Sequence, residues 1–188
     1  MKMTPRTIAT VLILLFLGCV PIYAQIAGEP FYLALFGRVL VYAIAAVSLN
    51  LLLGYGGLVS FGHALFLGLG AYSVGILSHH GIDNGWLHLL AAVVVCGIVG
   101  LISGAVVLRT TGIAFIMITL AFAQMFYFLT VSLNEYGGDD GMSIFQGSNF
   151  GILKLDEPLT LYYTSFVLLL VLLFAMHKLI GSRFGMVI

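Results

Sequence analysis

The chain has 188 residues, of which 62% are hydrophobic and only 7% are charged, and its mean hydropathy is +1.18. A water-soluble domain carries far more charge on its surface, so this composition excludes one. Lys and Arg together number 7, as do Asp and Glu, and no basic run occurs, which argues against nucleic acid as a partner. The composition predicts an integral membrane protein whose surroundings are the lipid bilayer.

The apolar runs predict the fold class. A helix needs about 20 apolar residues to cross a bilayer, and the alternation typical of membrane β-strands is absent. We therefore predict an all-α, polytopic membrane protein that forms a single transmembrane domain over residues 1–188. About six spans are expected, in the order Ile8–Ala27, Phe31–Leu53, Val59–Leu77, Leu87–Leu108, Ile113–Leu133 and Leu161–Ile180.

The basic residues between the spans indicate the orientation in the membrane. With the N-terminus in the cytoplasm, only Lys154 falls on the outer side, and the inner side holds Lys2, Arg6, Arg109, Lys178 and Arg183. Both termini are therefore predicted to be cytoplasmic. Ser182–Ile188 reads as the beginning of another cytoplasmic element, so we expect the sequence to be incomplete at its C-terminus.

The stretch Ser48–Leu77 is unusual for a membrane span. Gly54, Gly56 and Gly57 fall within four residues of each other, and each glycine costs a helix interior about 1 kcal/mol relative to alanine. This cluster predicts a break or an unwound turn. Backbone freed at membrane depth is tolerated only beside protein or a water-filled cavity, and transporters place substrate sites at such segments. We predict that the break lines a transport path.

Three polar residues are further candidates for the path. Ser60 and His63 follow the break and share a helix face, and a helix beginning there would direct its N–H groups and positive dipole end at a carboxylate. That arrangement suits an amino acid or another small anion. In the alternative, Ser60 caps the helix and His63 bonds a neighbouring helix. Gln124, in the fifth span, either contacts substrate or makes an interhelical hydrogen bond.

Glycines at helical spacing give two further spans a smooth face. Small residues of this kind let membrane helices approach closely, so we predict helix packing for them. They are Gly68 and Gly75 in the third span and Gly97, Gly100 and Gly104 in the fourth.

The sequence lacks the motifs of an enzyme. It contains no phosphate-binding G-x-x-x-x-G-K-[ST] loop, no H-E-x-x-H motif and no G-x-S-x-G motif. We expect no catalytic residue, metal or cofactor in this chain, so any ATP would be used by partner subunits. Every carboxylate falls in a loop, whereas proton-coupled carriers need ionisable groups at depth. A self-sufficient secondary transporter or channel for a small solute remains the alternative function.

Four blocks of the chain resemble the LivM-like permease subunits of branched-chain amino-acid ABC importers. Their order and spacing match that family, and they read SLNLLLGYGGLVSFGHALFLGLGAYSVGIL, RTTGIAFIMITLAFAQMFYF, GGDDGMS and GSRFGMVI. Related members transport urea, or aromatic and other small carboxylic acids, so the blocks leave the substrate open.

The resemblance implies a set of partners and a location. Such a permease pairs with a second permease subunit in the bacterial inner membrane. Two cytoplasmic ATPase subunits power the pair, and a periplasmic substrate-binding protein delivers the solute. The expected function is therefore to form the translocation path of an importer. Family members continue past the equivalent of Ile188 into a segment that docks the ATPase.

Overall fold

The computed structural model describes residues 5–144, 147–151, 155 and 157–182. Within these residues there are helices and turns but no β-strand, which confirms the predicted all-α class. The α-helices are α1 (Pro5–Ala27), α2 (Pro30–Asn50), α3 (His63–His79), α4 (Gly85–Val107), α5 (Ile113–Val131) and α6 (Pro158–Ile180). A π-helical turn follows α2 at Leu51–Tyr55, and two 3₁₀ turns follow α5 at Asn134–Tyr136 and Gly138–Asp140.

Most of the helical segments are long and apolar enough to cross a membrane. In the described part of the chain these are Thr10–Ala27, Phe31–Tyr55, Gly85–Val107, Ile113–Val131 and Pro158–Ile180. At most 22% of any of them is buried within the protein. Helices that are apolar on all sides and so little covered by the rest of the chain are typical of membrane spans. The protein is a multi-pass membrane protein.

The third predicted span, Val59–Leu77, needs a correction. The helix found there, α3, has 17 residues and begins only at His63, because residues 56–62 are not helical. At about 1.5 Å per residue, α3 is about 26 Å long, which is at the lower limit for crossing the hydrocarbon core. In the described part of the chain, the six predicted spans thus correspond to five longer helical segments and one shorter helix, α3.

Contacts between residues divide the chain into two compact units. One comprises Met1–Val47 together with Glu157–Ile188, and the other comprises Ser48–Asp156. The first contains α1, α6 and most of α2. The second contains the π-helical turn, α3, α4, α5 and the loop that follows α5.

The core of the first unit forms around a proline. Pro21 lies inside α1 and has no N–H, so the carbonyl of Leu17, four residues earlier, loses its helical partner. The Tyr162 hydroxyl of α6 donates a hydrogen bond to that carbonyl at 2.6 Å. Tyr162 and Leu40 of α2 are both fully buried here. The tyrosine thus satisfies a carbonyl that would otherwise be unpaired in apolar surroundings.

A buried histidine joins two connecting segments of the second unit. His88 is 2% exposed, and its Nε2 donates to the carbonyl of Ile82 at 2.6 Å while its Nδ1 lies 2.7 Å from the Ser148 hydroxyl. The backbone of Asn149 also forms two hydrogen bonds of 2.8 Å with the turn before α4. These contacts hold residues 147–151 against the start of α4.

We predict that Tyr162→Phe lowers the thermal stability of the protein in detergent. The Leu17 carbonyl would remain buried without a donor, at a cost of about 1–3 kcal/mol. The measurement is the midpoint of thermal unfolding. Tyr163→Phe is the matched control, because Tyr163 is 42% exposed and its hydroxyl makes no hydrogen bond within the described residues.

A double-mutant cycle tests the physical reason for this loss. Pro21→Ala returns an N–H to α1, which can then bond the Leu17 carbonyl within the helix. Tyr162→Phe should therefore cost less in the Pro21→Ala background than in the wild type. Equal costs in the two backgrounds would contradict the role given to the hydroxyl.

Candidate functional site

The glycine-rich segment interrupts the helical backbone, and the predicted break is therefore present. After Asn50 the chain continues as the π-helical turn Leu51–Tyr55, in which hydrogen bonds span five residues. Residues 56–62 are not helical, and α3 begins at His63. We call residues 51–62 the interruption. Short π-helical turns of this kind are frequent at functional sites.

Glycine is required at two positions of the interruption. Gly57 has a φ of +63°, in the left-handed region that other L-residues rarely adopt. At Gly62, an added Cβ would lie 2.9 Å from the carbonyl oxygen of Thr119, so glycine lets the segment approach α5. A Cβ would also crowd the preceding turn at Gly54 and at Gly56.

Hydroxyl groups satisfy part of the backbone freed by the interruption. The N–H of Phe61 donates to Thr119 Oγ1 at 3.3 Å, and the N–H of Gly62 donates to Ser60 Oγ at 3.2 Å. Thr119 is 7% exposed and also donates its own proton to the carbonyl of Ile116 at 2.8 Å. Ser60 therefore bonds the cap residue of α3 and not the N–H groups of its first turn.

His63 connects the start of α3 to α2. Its Nε2 lies 3.2 Å from the hydroxyl of Ser48, and its ring packs edge-on against Phe66 with a centroid distance of 6.3 Å. The first contact is the interhelical bond of the alternative stated for this residue. The N–H groups of His63 and Ala64 lie in the first turn of α3, where helix geometry offers no intrahelical acceptor.

Two cavities adjoin α3 within the second unit. The smaller has a volume of about 240 Å³ and lies beside the interruption, with Ser60 and Thr119 in a largely apolar wall. The larger, of about 440 Å³, lies between α3, α5 and the turn Gly138–Asp140, and Gln124 is part of its wall. Leu65 contributes to both walls.

The structure therefore separates the residues that were predicted to form one path. Ser60 and Gln124 belong to different cavities, and His63 belongs to the wall of neither. The interhelical hydrogen bond considered for Gln124 does not form within the described residues. No group of His, Cys, Asp and Glu side chains in the described part of the chain could hold a metal ion.

The glycines predicted to pack helices have different surroundings. Gly100 faces Phe66 of α3, whose ring carbon would lie 3.5 Å from an added Cβ, and Gly75 is in close contact with Met142 of the loop after α5. An added Cβ would meet nothing within 4 Å in the described structure at Gly68, Gly97 and Gly104. Helix packing at these last three stays a prediction.

Sequence analysis did not single out Thr119 or Ser48. Each is one of several polar residues in a largely apolar helix, and that was the only local signal available. Which backbone group or side chain each of them meets depends on how α5 and α2 pack against the interruption.

We predict that Thr119→Val destabilises the protein, because it leaves the N–H of Phe61 without an acceptor at a cost of about 1–3 kcal/mol. The midpoint of thermal unfolding in detergent is the measurement. Thr119→Ser keeps the acceptor and should retain most of the stability. Thr130→Val is the control, since within the described residues the Thr130 hydroxyl bonds only the Tyr127 carbonyl of its own helix. An equal loss in both valine variants would contradict the assignment.

Comparison with known proteins gives the family. A family model described as branched-chain amino acid transport system, permease component, matches residues 31–188. The high-affinity branched-chain amino acid transport system permease protein LivM of Escherichia coli strain K12 is 28% identical over an alignment of 170 positions, which covers 78% of this chain and 40% of that protein. The protein of the same name from Salmonella typhimurium strain LT2 is 31% identical over 105 residues, 55% of this chain and 25% of that protein.

No solved structure gives a significant match. The matched segments span less than half the length of the two LivM proteins. The family match itself begins at Phe31 and includes the interruption, both cavities and the helices around them. The chain belongs to the branched-chain amino acid transport permease family, as a LivM-like permease component.

Proposed function

We propose that this chain is the permease subunit of an ABC importer for branched-chain amino acids, or for a related small polar solute, in a bacterial inner membrane. The observation that carries the proposal is that the family match over residues 31–188 contains an interrupted membrane helix. Broken helices of this kind form the substrate sites of many transporters. The names of both LivM relatives refer to branched-chain amino acid transport.

We assign the substrate path to the interruption and to the two adjoining cavities. The free N–H groups and the positive end of the α3 dipole favour the carboxylate of a passing amino acid near Ser60 and His63. The largely apolar wall of the smaller cavity suits an aliphatic side chain. Gln124 places a polar group in the larger cavity, farther along α5.

The proposed importer divides its work among several chains. A second permease subunit completes the path, two cytoplasmic ATPase subunits bind and hydrolyse ATP, and a periplasmic binding protein delivers the solute. ATP binding in the partners shifts the path between its outward-open and inward-open states. No cofactor is assigned to this chain, whose role is transport and not catalysis.

Purification from native membranes tests the assembly. We expect the tagged full-length protein, extracted in mild detergent, to retain an ATPase with a phosphate-binding loop and a second permease-like chain, both identified by mass spectrometry. In liposomes the complex should take up radiolabelled leucine only when ATP is supplied. A protein that purifies alone and transports without ATP would instead be a secondary transporter or a channel.

Substitutions at Gly57 test the role of the interruption in transport. Gly57→Leu in the full-length protein should abolish uptake while membrane insertion is retained, because leucine strains a backbone with a φ of +63°. Gly57→Asn should keep more activity, since asparagine adopts this conformation more readily. Gly70→Leu is the control, because a Cβ there meets nothing within 4 Å in the described structure. Normal uptake by well-inserted Gly57→Leu would contradict the assigned path.

A further inference from the structure

The larger cavity has the size and wall of a small-molecule site. Its volume of about 440 Å³ lies within the range of about 300–1,000 Å³ typical of such sites. Apolar side chains of α3 and α5, such as Leu69 and Phe126, form most of the wall. Among them stand a few polar groups, which include Tyr72, Gln124 and Asp139.

These polar groups are available to a ligand. Within the described residues, the side chains of Tyr72, Gln124 and Asp139 form neither a hydrogen bond nor an ion pair. Gln124 lies about 17 Å along α5 from its start, near the middle of an apolar span. An amide at that depth is costly in hydrocarbon unless it faces protein, water or a bound polar solute. The cavity is therefore suited to a solute with polar ends and an apolar body.

The loop that carries Asp139 is attached to α3 by contacts on both sides of this residue. Before it, the ring of Tyr136 packs edge-on against His79 at the end of α3, with centroids 5.5 Å apart. After it, Met142 packs so closely against Gly75 of α3 that no Cβ would fit there. The loop is thus attached to α3 on both sides of Asp139, whose side chain is exposed and forms part of the cavity wall.

The negative charge in the wall of the larger cavity favours a positively charged group. Asp139 is the only charged side chain in the described wall of the cavity, while the adjacent Asp140 lies outside it. A carboxylate beside an apolar, low-dielectric surface attracts positive charge. An ammonium group is a compact cation with three donors, and the carboxylate accepts them directly.

We propose that the larger cavity binds an aliphatic amino acid, with its ammonium group on the Asp139 carboxylate and its side chain against the apolar wall of α3 and α5. The inference rests on the proposed transport function and adds a recognition site for the amine to it. It makes Asp139 a specificity-determining residue, because solutes of the same shape without an amine lose this contact.

Direct binding of leucine to the intact transporter tests the role of the Asp139 charge. Radiolabelled leucine is bound to the purified complex without ATP and without the binding protein. Leucinamide, which keeps the ammonium group, should compete, and 4-methylpentanoate, which lacks it, should compete at least about tenfold less well. Asp139→Asn should weaken leucine binding about tenfold or more. Asp140→Asn is the matched control and should bind as the wild type does.

A second pair of variants tests the cavity wall independently of the charge. Gly68 lies in the wall and Gly70 does not, and an added Cβ meets open space at both positions of α3. Gly68→Leu should fill the cavity and weaken leucine binding about tenfold or more, and Gly70→Leu should leave it unchanged. This pair decides the question if Asp139→Asn fails to insert in the membrane.

The possible results distinguish a failure of the proposed site from a failure of the proposed function. A complex that transports leucine with ATP, but binds it equally well after Asp139→Asn and Gly68→Leu, overturns the site and leaves the importer standing. Equal losses in both members of either pair also overturn the site. A complex that binds leucine through Asp139 but does not transport it supports the site and contradicts the proposed function.

Discussion

Every backbone polar group inside a bilayer must find its partner within the protein or in trapped water, because hydrocarbon offers none. Helical hydrogen bonding is lost at two places in this chain, at Pro21 and at the interruption, and both show how that constraint is met. The Tyr162 hydroxyl donates to the carbonyl freed by Pro21, and the Thr119 hydroxyl accepts the N–H of Phe61. In each case a hydroxyl from a different helix replaces the missing intrahelical bond. Irregular backbone therefore becomes a point where helices are joined.

The surroundings of Pro21 differ from those of the interruption. This difference indicates which of the two places has only a structural role and which can bind a solute. Pro21 and Tyr162 are fully buried in the first unit, so the hydrogen bond from the Tyr162 hydroxyl to the Leu17 carbonyl only stabilises packing. The interruption before α3 instead borders a cavity of about 240 Å³ and leaves the first N–H groups of α3 available. A segment that is irregular, partly satisfied and next to open space can bind a solute. This is the physical basis for assigning the path to it.

The loop after α5 contacts α3 and forms part of the wall of the larger cavity. Met142 and Tyr136 attach the loop to α3, and Asp139 between them belongs to the wall of the cavity between α3 and α5. Leu65, in the first turn of α3, belongs to the walls of both cavities. A movement of α3 at the interruption would therefore change both cavities together, as the proposed alternating-access path requires.

The sequence by itself determined the membrane class, the all-α fold and the break, because hydropathy and glycine content act locally along the chain. Five predicted spans agree with the structure within three residues, whereas the third starts late because the glycine-rich turn extends to residue 62. Only the tertiary structure decided that Ser60 and Gln124 line different cavities and that Asp139 is part of the wall of the larger one. Partners such as Phe61 and Thr119, or Leu17 and Tyr162, are 58 and 145 positions apart. Contacts at such distances depend on helix packing, which no local pattern encodes.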